Sequence, residues 1–264
     1  MSDDTVIREL MQAAVSGVSK TQVFRHMKEK YKLNDEDVNE LVKSCKFKQQ
    51  PKKIDYNRFY DISATKIAKK IEFPFTQIYL SDNFLPKDNC KKLIELIASQ
   101  VRPSTVSNSE DKKITSDYRT SKTADLHYFH SPFVNSLDWK ICKFMGLDPF
   151  LGETLQAQSY LPGEYYKEHH DFFHPKTKEC SVYTEWMGQR TWTFFCYLND
   201  VEEGGETYFK HLKLKIKPKA GTVVIWNNLY KNGLPNYKTA HEALPPVSGN
   251  KYVITKWFRS WPLI

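Results

Sequence analysis

Residues 151–264 are divided into short β-forming runs. Segments 155–160, 191–198, 207–209, 212–216, 222–226 and 251–259 have strand character, and Gly or Pro turns stand between them. Many short strands joined in this way point to a sandwich or a jelly roll, because a sheet with one apolar face must bury it against another layer. The 264 residues have room for one full core and a small second unit.

Upstream the pattern is mixed. Segment 76–80 reads as a strand, 86–100 as an amphipathic helix led by Lys87-Asp88-Asn89, and 103–122 as a polar, mobile loop. Segment 131–144 fits a second helix, with Trp139 expected on its apolar face. At the N-terminus Val6, Leu10, Met11, Ala14 and Val18 recur at helical spacing. Ser19 is positioned to cap a helix carrying Val23, Phe24, Met27 and Tyr31, and Asn34 one carrying Val38, Leu41 and Val42. The chain is therefore expected to hold a small helical unit over residues 1–50, a polar linker at 49–53, and a main domain over 76–262. Three short helices invite comparison with DNA-binding helix-turn-helix units, but the basic face of a recognition helix is only loosely present.

The chemistry concentrates in His169-His170-Asp171 and His241. If 156–171 runs largely as strand, His169 and Asp171 leave the same face and His170 the other, since side chains alternate. Two histidines and one carboxylate leave metal positions open, as in non-haem Fe(II) oxygenases. A structural zinc site would be closed and usually rich in cysteine. A competing pattern overlaps: His170-Asp171-Phe172-Phe173-His174 is similar to the helical motif of zinc hydrolases, although Pro175 disfavours helix there and Asp replaces the Glu of that motif.

The flanking residues favour the iron reading. Tyr160, Gly163, Tyr166, His169 and Asp171 form a Y-x-x-G-x-x-Y-x-x-H-x-D string that resembles the metal strand of the prolyl 4-hydroxylases. Arg190, Thr193, Tyr197 and Leu198 resemble that family's R-x-x-T-x-x-x-Y-L segment. Val201, Gly204-Gly205, Thr207 and Phe209 resemble its V-x-x-G-G-x-T-x-F. Trp226-Asn227, His241, Gly249-Asn250-Lys251 and Lys256-Trp257 follow in the family's order, and Ser116-Asp117-Tyr118-Arg119-Thr120-Ser121 is similar to its S-x-x-R-T-S loop. One departure is His241-Glu242-Ala243-Leu244-Pro245, where many relatives have H-A-G-C-P.

The resemblance implies an α+β fold, a double-stranded β-helix (jelly roll) with supporting helices. It implies an enzyme that uses Fe(II), 2-oxoglutarate and O2, with ascorbate as reductant, to hydroxylate C4 of a peptidyl proline and release succinate. His169, Asp171 and His241 are the implied metal ligands. Lys251 is implied to meet the far carboxylate of 2-oxoglutarate, since an unpaired buried charge is costly; the competing account is a strand-end lysine reaching water, as expected of Lys256. Thr193 and Tyr197 are expected to share an inward face and to hydrogen-bond the same carboxylate. Tyr160 is a further contact, Trp257 is expected to pack under the co-substrate, and Tyr166 is as readily a packing residue. Arg119, in a loop able to close over a peptide, and Arg190 are the substrate-side candidates; the alternative for Arg119 is an exposed loop arginine. Gly204-Gly205 reads as a backbone turn.

Formal charge is +8. The lysines are spread along the whole chain and no nucleic-acid module accompanies them, so a solvated basic surface is favoured over nucleic-acid binding. The partner expected is a proline-containing peptide or protein. Other readings of the fold are the same chemistry on another residue or a nucleic-acid base, and a non-catalytic binding protein, which intact ligands and Lys251 disfavour. No segment approaches the length of a membrane span and the first residues lack signal-peptide character, so a cytoplasmic protein is expected. Five scattered cysteines without C-x-x-C fit free, mostly buried thiols in a reducing compartment.

Overall fold

The computed structural model describes residues 3–15, 20–45, 53–104, 118–127 and 131–262. The Ser19 cap, residues 49–52 of the linker, His130, and Ser116 and Asp117 with most of the 103–122 loop lie outside them.

The helices are α1 (Asp3–Val15), α2 (Lys20–Tyr31), α3 (Asp35–Ser44), α4 (Ala64–Ile67), α5 (Lys87–Ala98), α6 (Pro132–Met145) and α7 (Lys178–Tyr183). The first strands are β1 (Lys69–Phe73), β2 (Thr76–Ser81), β3 (Arg102–Pro103), β4 (Lys122–Leu126), β5 (Leu155–Tyr160), β6 (Tyr166–His169) and β7 (Arg190–Tyr197). There follow β8 (Glu203–Gly204), β9 (Thr207–Phe209), β10 (Leu214–Ile216), β11 (Val223–Asn227), β12 (His241–Ala243), β13 (Pro246–Ser248) and β14 (Lys251–Arg259). An eight-stranded major sheet runs β1-β2-β11-β7-β14-β5-β4-β3, a four-stranded minor sheet runs β10-β9-β12-β6, and β13 pairs with β8.

Alternation along the central strands builds two cores from one sheet. Trp192, Phe194 and Cys196 of β7, with Ile254 and Phe258 of β14, join a core under α5 and α6. The opposite face gives Tyr160, Tyr197, Val224, Trp226 and Val253 to a second core, shared with Phe209, Ile216 and Ala243 of the minor sheet. Two antiparallel sheets packed this way, with helices on the outer face, make the jelly roll that the strand pattern predicts.

α5 packs through Cys90, Leu93 and Ile97, one stripe at helical spacing. α6 begins where the Ser131 hydroxyl accepts from the Val134 N–H behind Pro132, and ends at Gly146 in the left-handed region, φ 68°. A Cβ at Gly146 would stand 2.1 Å from Ser63 Oγ, so close approach as well as φ requires glycine. Trp139 departs from expectation. It is 53% exposed, because it lies two residues, about 200° of helix rotation, from Leu137 and Ile141 on the buried stripe.

Lys256 also departs from expectation. It lies on the helix side of β14, between Ile254 and Phe258, and is 3% exposed. Its stem cannot reach water beneath α6, so its amine donates to Asp138 Oδ1 and to the Glu153 carbonyl, both at 2.7 Å.

The N-terminal helices close on Leu10, Val23, Met27 and Val38. Asn34 forms a reciprocal capping box with Asp37. Trp186 packs on this unit, Met187 packs on Ala14, and Lys20 pairs with Glu185 at 3.3 Å. Among the described residues no helix is long and apolar enough to cross a membrane. All five cysteines are free, and Cys180 alone among them is not buried.

Candidate active site

Segment 156–171 is two strands in different sheets. After Tyr160 the chain turns through Gly163, φ 82°, with Glu164 N–H donating to the Leu161 carbonyl, and re-enters as β6 of the minor sheet. Asp171 lies two residues beyond β6. Its carboxylate nevertheless turns toward His169, with Oδ1 3.9 Å from Nε2. His241, the first residue of β12, is the Cα partner of His169, and the two rings stand 4.3 Å apart. One ligand atom from each of His169, Asp171 and His241 lies within 4.8 Å of the others.

Both rings are prepared as ligands by the backbone. His169 Nδ1 lies 2.8 Å from the Lys167 carbonyl, and His241 Nδ1 3.0 Å from that of Thr239. A carbonyl only accepts, so each Nδ1 carries a proton and each Nε2 is the nitrogen left to face a metal. Burial, and then the neighbouring His241, holds the His169 pKa well below the usual histidine range, keeping that imidazole neutral. Two imidazoles and one carboxylate fit a divalent iron ion with further positions for exogenous ligands. The Tyr166 ring stacks on His169 at 3.6 Å, and the Arg119 guanidinium lies 4.6 Å from the Tyr166 ring.

Lys251 opens β14 opposite Tyr160 and is fully buried. Its Nζ lies 4.9 Å from the Tyr160 ring and 5.8 Å from that of Tyr197, and has no hydrogen-bond partner among the described residues. Desolvation pushes its pKa down to about 7, against the pull of Glu206. An amine so placed fits the carboxylate of an incoming anion.

Other predicted residues take different places. Thr193 does not face Lys251: its hydroxyl donates to Asp171 Oδ2 at 2.7 Å. It lies four residues from Tyr197, roughly 13 Å along β7. The Tyr197 hydroxyl is itself bonded to Thr207 Oγ1 (2.6 Å) and the Ile216 carbonyl (3.1 Å), leaving its ring toward Lys251. Trp257 pairs across with Thr193, and the Arg190 guanidinium covers its ring at 4.0 Å. Arg190 is no free guanidinium. Its Nε and Nη2 each meet the buried Glu153 carboxylate at 2.7 Å, and only Nη1 turns to the site, 3.3 Å from the Asp171 carbonyl. Arg119 is partly buried and donates to Ser121 and Thr123 hydroxyls, so it packs behind the candidate ligands instead of lying exposed.

The zinc-hydrolase alternative does not assemble. Residues 170–174 are not helical, His170 packs on Phe172, and His174 bonds to Tyr237 and the Pro175 carbonyl. Among the described residues His169, Asp171 and His241 are the one cluster able to hold a metal. Sequence reasoning missed Glu153 and Asn228, the latter bonded to Thr193 at 2.9 Å. Neither sits in a recognisable pattern, and only their burial marks them.

The sequence and the fold have counterparts in known proteins. The 2OG-Fe(II) oxygenase superfamily model matches residues 155–259, which carry all three candidate ligands and Lys251. A putative prolyl 4-hydroxylase of Acanthamoeba polyphaga mimivirus is 30% identical over 190 residues, 72% of this chain and 76% of that protein. Prolyl 4-hydroxylase subunit alpha-1 of Gallus gallus is 37% identical over 165 residues, 62% of this chain. The match is 32% of that relative, so the chain aligns with about a third of its length. The viral collagen prolyl hydroxylase from Paramecium Bursaria Chlorella virus-1, solved as its 2OG complex, is similar at TM-score 0.55 and 26% identity, over 69% of this chain and 95% of that one. With a two-histidine, one-aspartate cluster on a jelly roll and a relative 30% identical that is matched across 76% of its length, the chain belongs to the prolyl 4-hydroxylase family of 2OG-Fe(II) oxygenases.

Proposed function

We propose that this protein hydroxylates peptidyl proline at C4, consuming 2-oxoglutarate and O2 and releasing succinate and CO2. One oxygen atom of O2 enters succinate and the other enters the C–H bond of proline. The observation that carries the reading is the pairing of the His169, Asp171 and His241 cluster with a buried Lys251 that has no hydrogen-bond partner among the described residues, in the same jelly roll. His169, Asp171 and His241 hold the metal, and Lys251 neutralises the distal carboxylate of 2-oxoglutarate. Iron, when bound there, supplies the oxidative decarboxylation of the co-substrate and the oxidising power for the C–H bond. The protein's part is position and dryness: Tyr160 and Tyr197 wall the Lys251 end with aromatic surface, where a charge pair is stronger than in water.

The peptide class follows from the relatives, whose names specify prolyl substrates, and from the low entropic cost of binding a proline-rich chain already in the polyproline II form. Succinate counted with Fe(II), 2-oxoglutarate, ascorbate and a panel of proline-containing peptides tests it, with mass spectrometry locating the hydroxyl. Peptide-dependent succinate with hydroxyproline is expected, and His169→Ala, Asp171→Ala or His241→Ala each abolish it. Oxidation of another residue, or turnover only with nucleic acid, keeps the iron chemistry and removes the prolyl assignment.

A further inference from the structure

Asp171 has two carboxylate oxygens in different surroundings. Oδ1 faces the His169 imidazole, whereas Oδ2 accepts from Thr193. A carboxylate only accepts, so the single Thr193 hydroxyl proton is committed to Asp171, and the Thr193 oxygen must accept from its other neighbour, Asn228 Nδ2. That fixes the Asn228 amide: turned over, it would set an acceptor against an oxygen with no proton left to give.

Asn228 is fully buried and anchored by its own backbone. Its N–H donates to the Thr191 carbonyl at 2.7 Å, and its carbonyl accepts from the Asn236 N–H at 2.9 Å. Its Oδ1 has no hydrogen-bond partner among the described residues. An unpaired buried acceptor is costly, and a leucine here would bury none. The amide is therefore retained for its donor.

We propose that Asn228 and Thr193 form a hydrogen-bonded relay that positions Asp171: it occupies Oδ2 and leaves Oδ1 as the single oxygen offered to the metal. Both are positioning residues, and the proposal rests on the reading that His169, Asp171 and His241 hold the metal. Thr193 thereby acts at the opposite end of the site from the co-substrate carboxylate.

The test is anaerobic Co(II) titration of the full-length, metal-stripped protein, followed by visible absorption. Thr193→Val keeps the side-chain shape and removes the hydroxyl; it should weaken Co(II) binding by about 10- to 100-fold and change the spectrum. Thr193→Ser restores the hydroxyl and should bind within about threefold of wild type. Asn228→Leu removes the donor behind Thr193 and should cost about 3- to 10-fold in affinity, a part of the loss in the valine variant. Wild-type affinity and spectrum in folded Thr193→Val, or serine as defective as valine, overturns the relay. Should Thr193→Val not fold, Asn228→Leu and Thr193→Ser decide, and unchanged affinity in folded Asn228→Leu overturns it. Co(II) binding unaffected by His241→Ala is a separate outcome, because it removes the metal assignment beneath the relay.

Discussion

Lys251 and Lys256 lie five positions apart on β14, so they leave opposite faces of the major sheet. Both are buried, 0% and 3% exposed. On the helix side Lys256 meets a carboxylate and a carbonyl at 2.7 Å. On the inner side Lys251 has aromatic rings around it and no hydrogen-bond partner among the described residues. A buried charge whose partner is built into the chain belongs to the fold. A buried amine without one is tolerated where a ligand brings the anion, and the fold bears the desolvation until then.

The contrast breaks first if the stabilities do not separate. Lys256→Met strands the Asp138 carboxylate and should cost about 3 to 5 kcal/mol in urea unfolding, whereas Lys251→Met should cost nothing or stabilise. Equal stabilities would show that the two lysines are not different in kind.

Ligand affinity is the next measure. Lys251→Ala should weaken 2-oxoglutarate binding by about 2 to 5 kcal/mol, read by calorimetry, with metal affinity retained. Unchanged co-substrate affinity would return Lys251 to the status of a packing residue.

Proton linkage sharpens the comparison further. With the folded pKa near 7 and an ordinary value of 10.5, the unfolded chain holds the extra Lys251 proton between those values. Stability should therefore rise with pH across that window, and the penalty of burying the charge is fully present below it. Co-substrate binding has the opposite sign, since the dicarboxylate pairs with the protonated amine. Its affinity should fall above pH 7 by up to about tenfold per pH unit. Lys251→Arg, charged throughout, should flatten that part of the profile. A co-substrate affinity flat to pH 9 in the wild type would exclude Lys251 from the pairing.

The smallest effect concerns neighbouring histidines. His170 packs on Phe172 and Tyr237 beside the proposed ligand His169. His170→Ala should leave Co(II) affinity within about 1 kcal/mol of wild type.

Much of this architecture was legible in the sequence. The boundaries of β5 and, to within a residue, the extent of α6 were legible as strand and helix patterns, and the His169 to Asp171 spacing places two donors on one side even though the strand ends between them. The strand expected over 156–171 gave no sign of the break that puts β6 in the other sheet, and β12 was not legible as a strand, being three residues long with pairing that is wholly long-range. Nor could spacing reveal which lysine has a partner. Alternation puts Lys251 and Lys256 on different faces, but Asp138 reaches Lys256 from a helix 118 positions away. Thr193 shows the same limit: its face was predictable, and the neighbour its hydroxyl meets was not.

β6 and β12 are brief strands, yet each contributes one histidine from directly paired positions. So short a ladder is among the segments expected to open first when a protein breathes. An ion held by both imidazoles and Asp171 is a crosslink across that ladder, and at a thousandfold excess over Kd it adds about 4 kcal/mol to the closed form. Amide hydrogen exchange along β6 and β12 should slow on loading, more than along β5 and β14. Iron supply then governs the lifetime of the folded wall as well as the rate of turnover, and a cell short of iron would hold a protein more open to proteolysis.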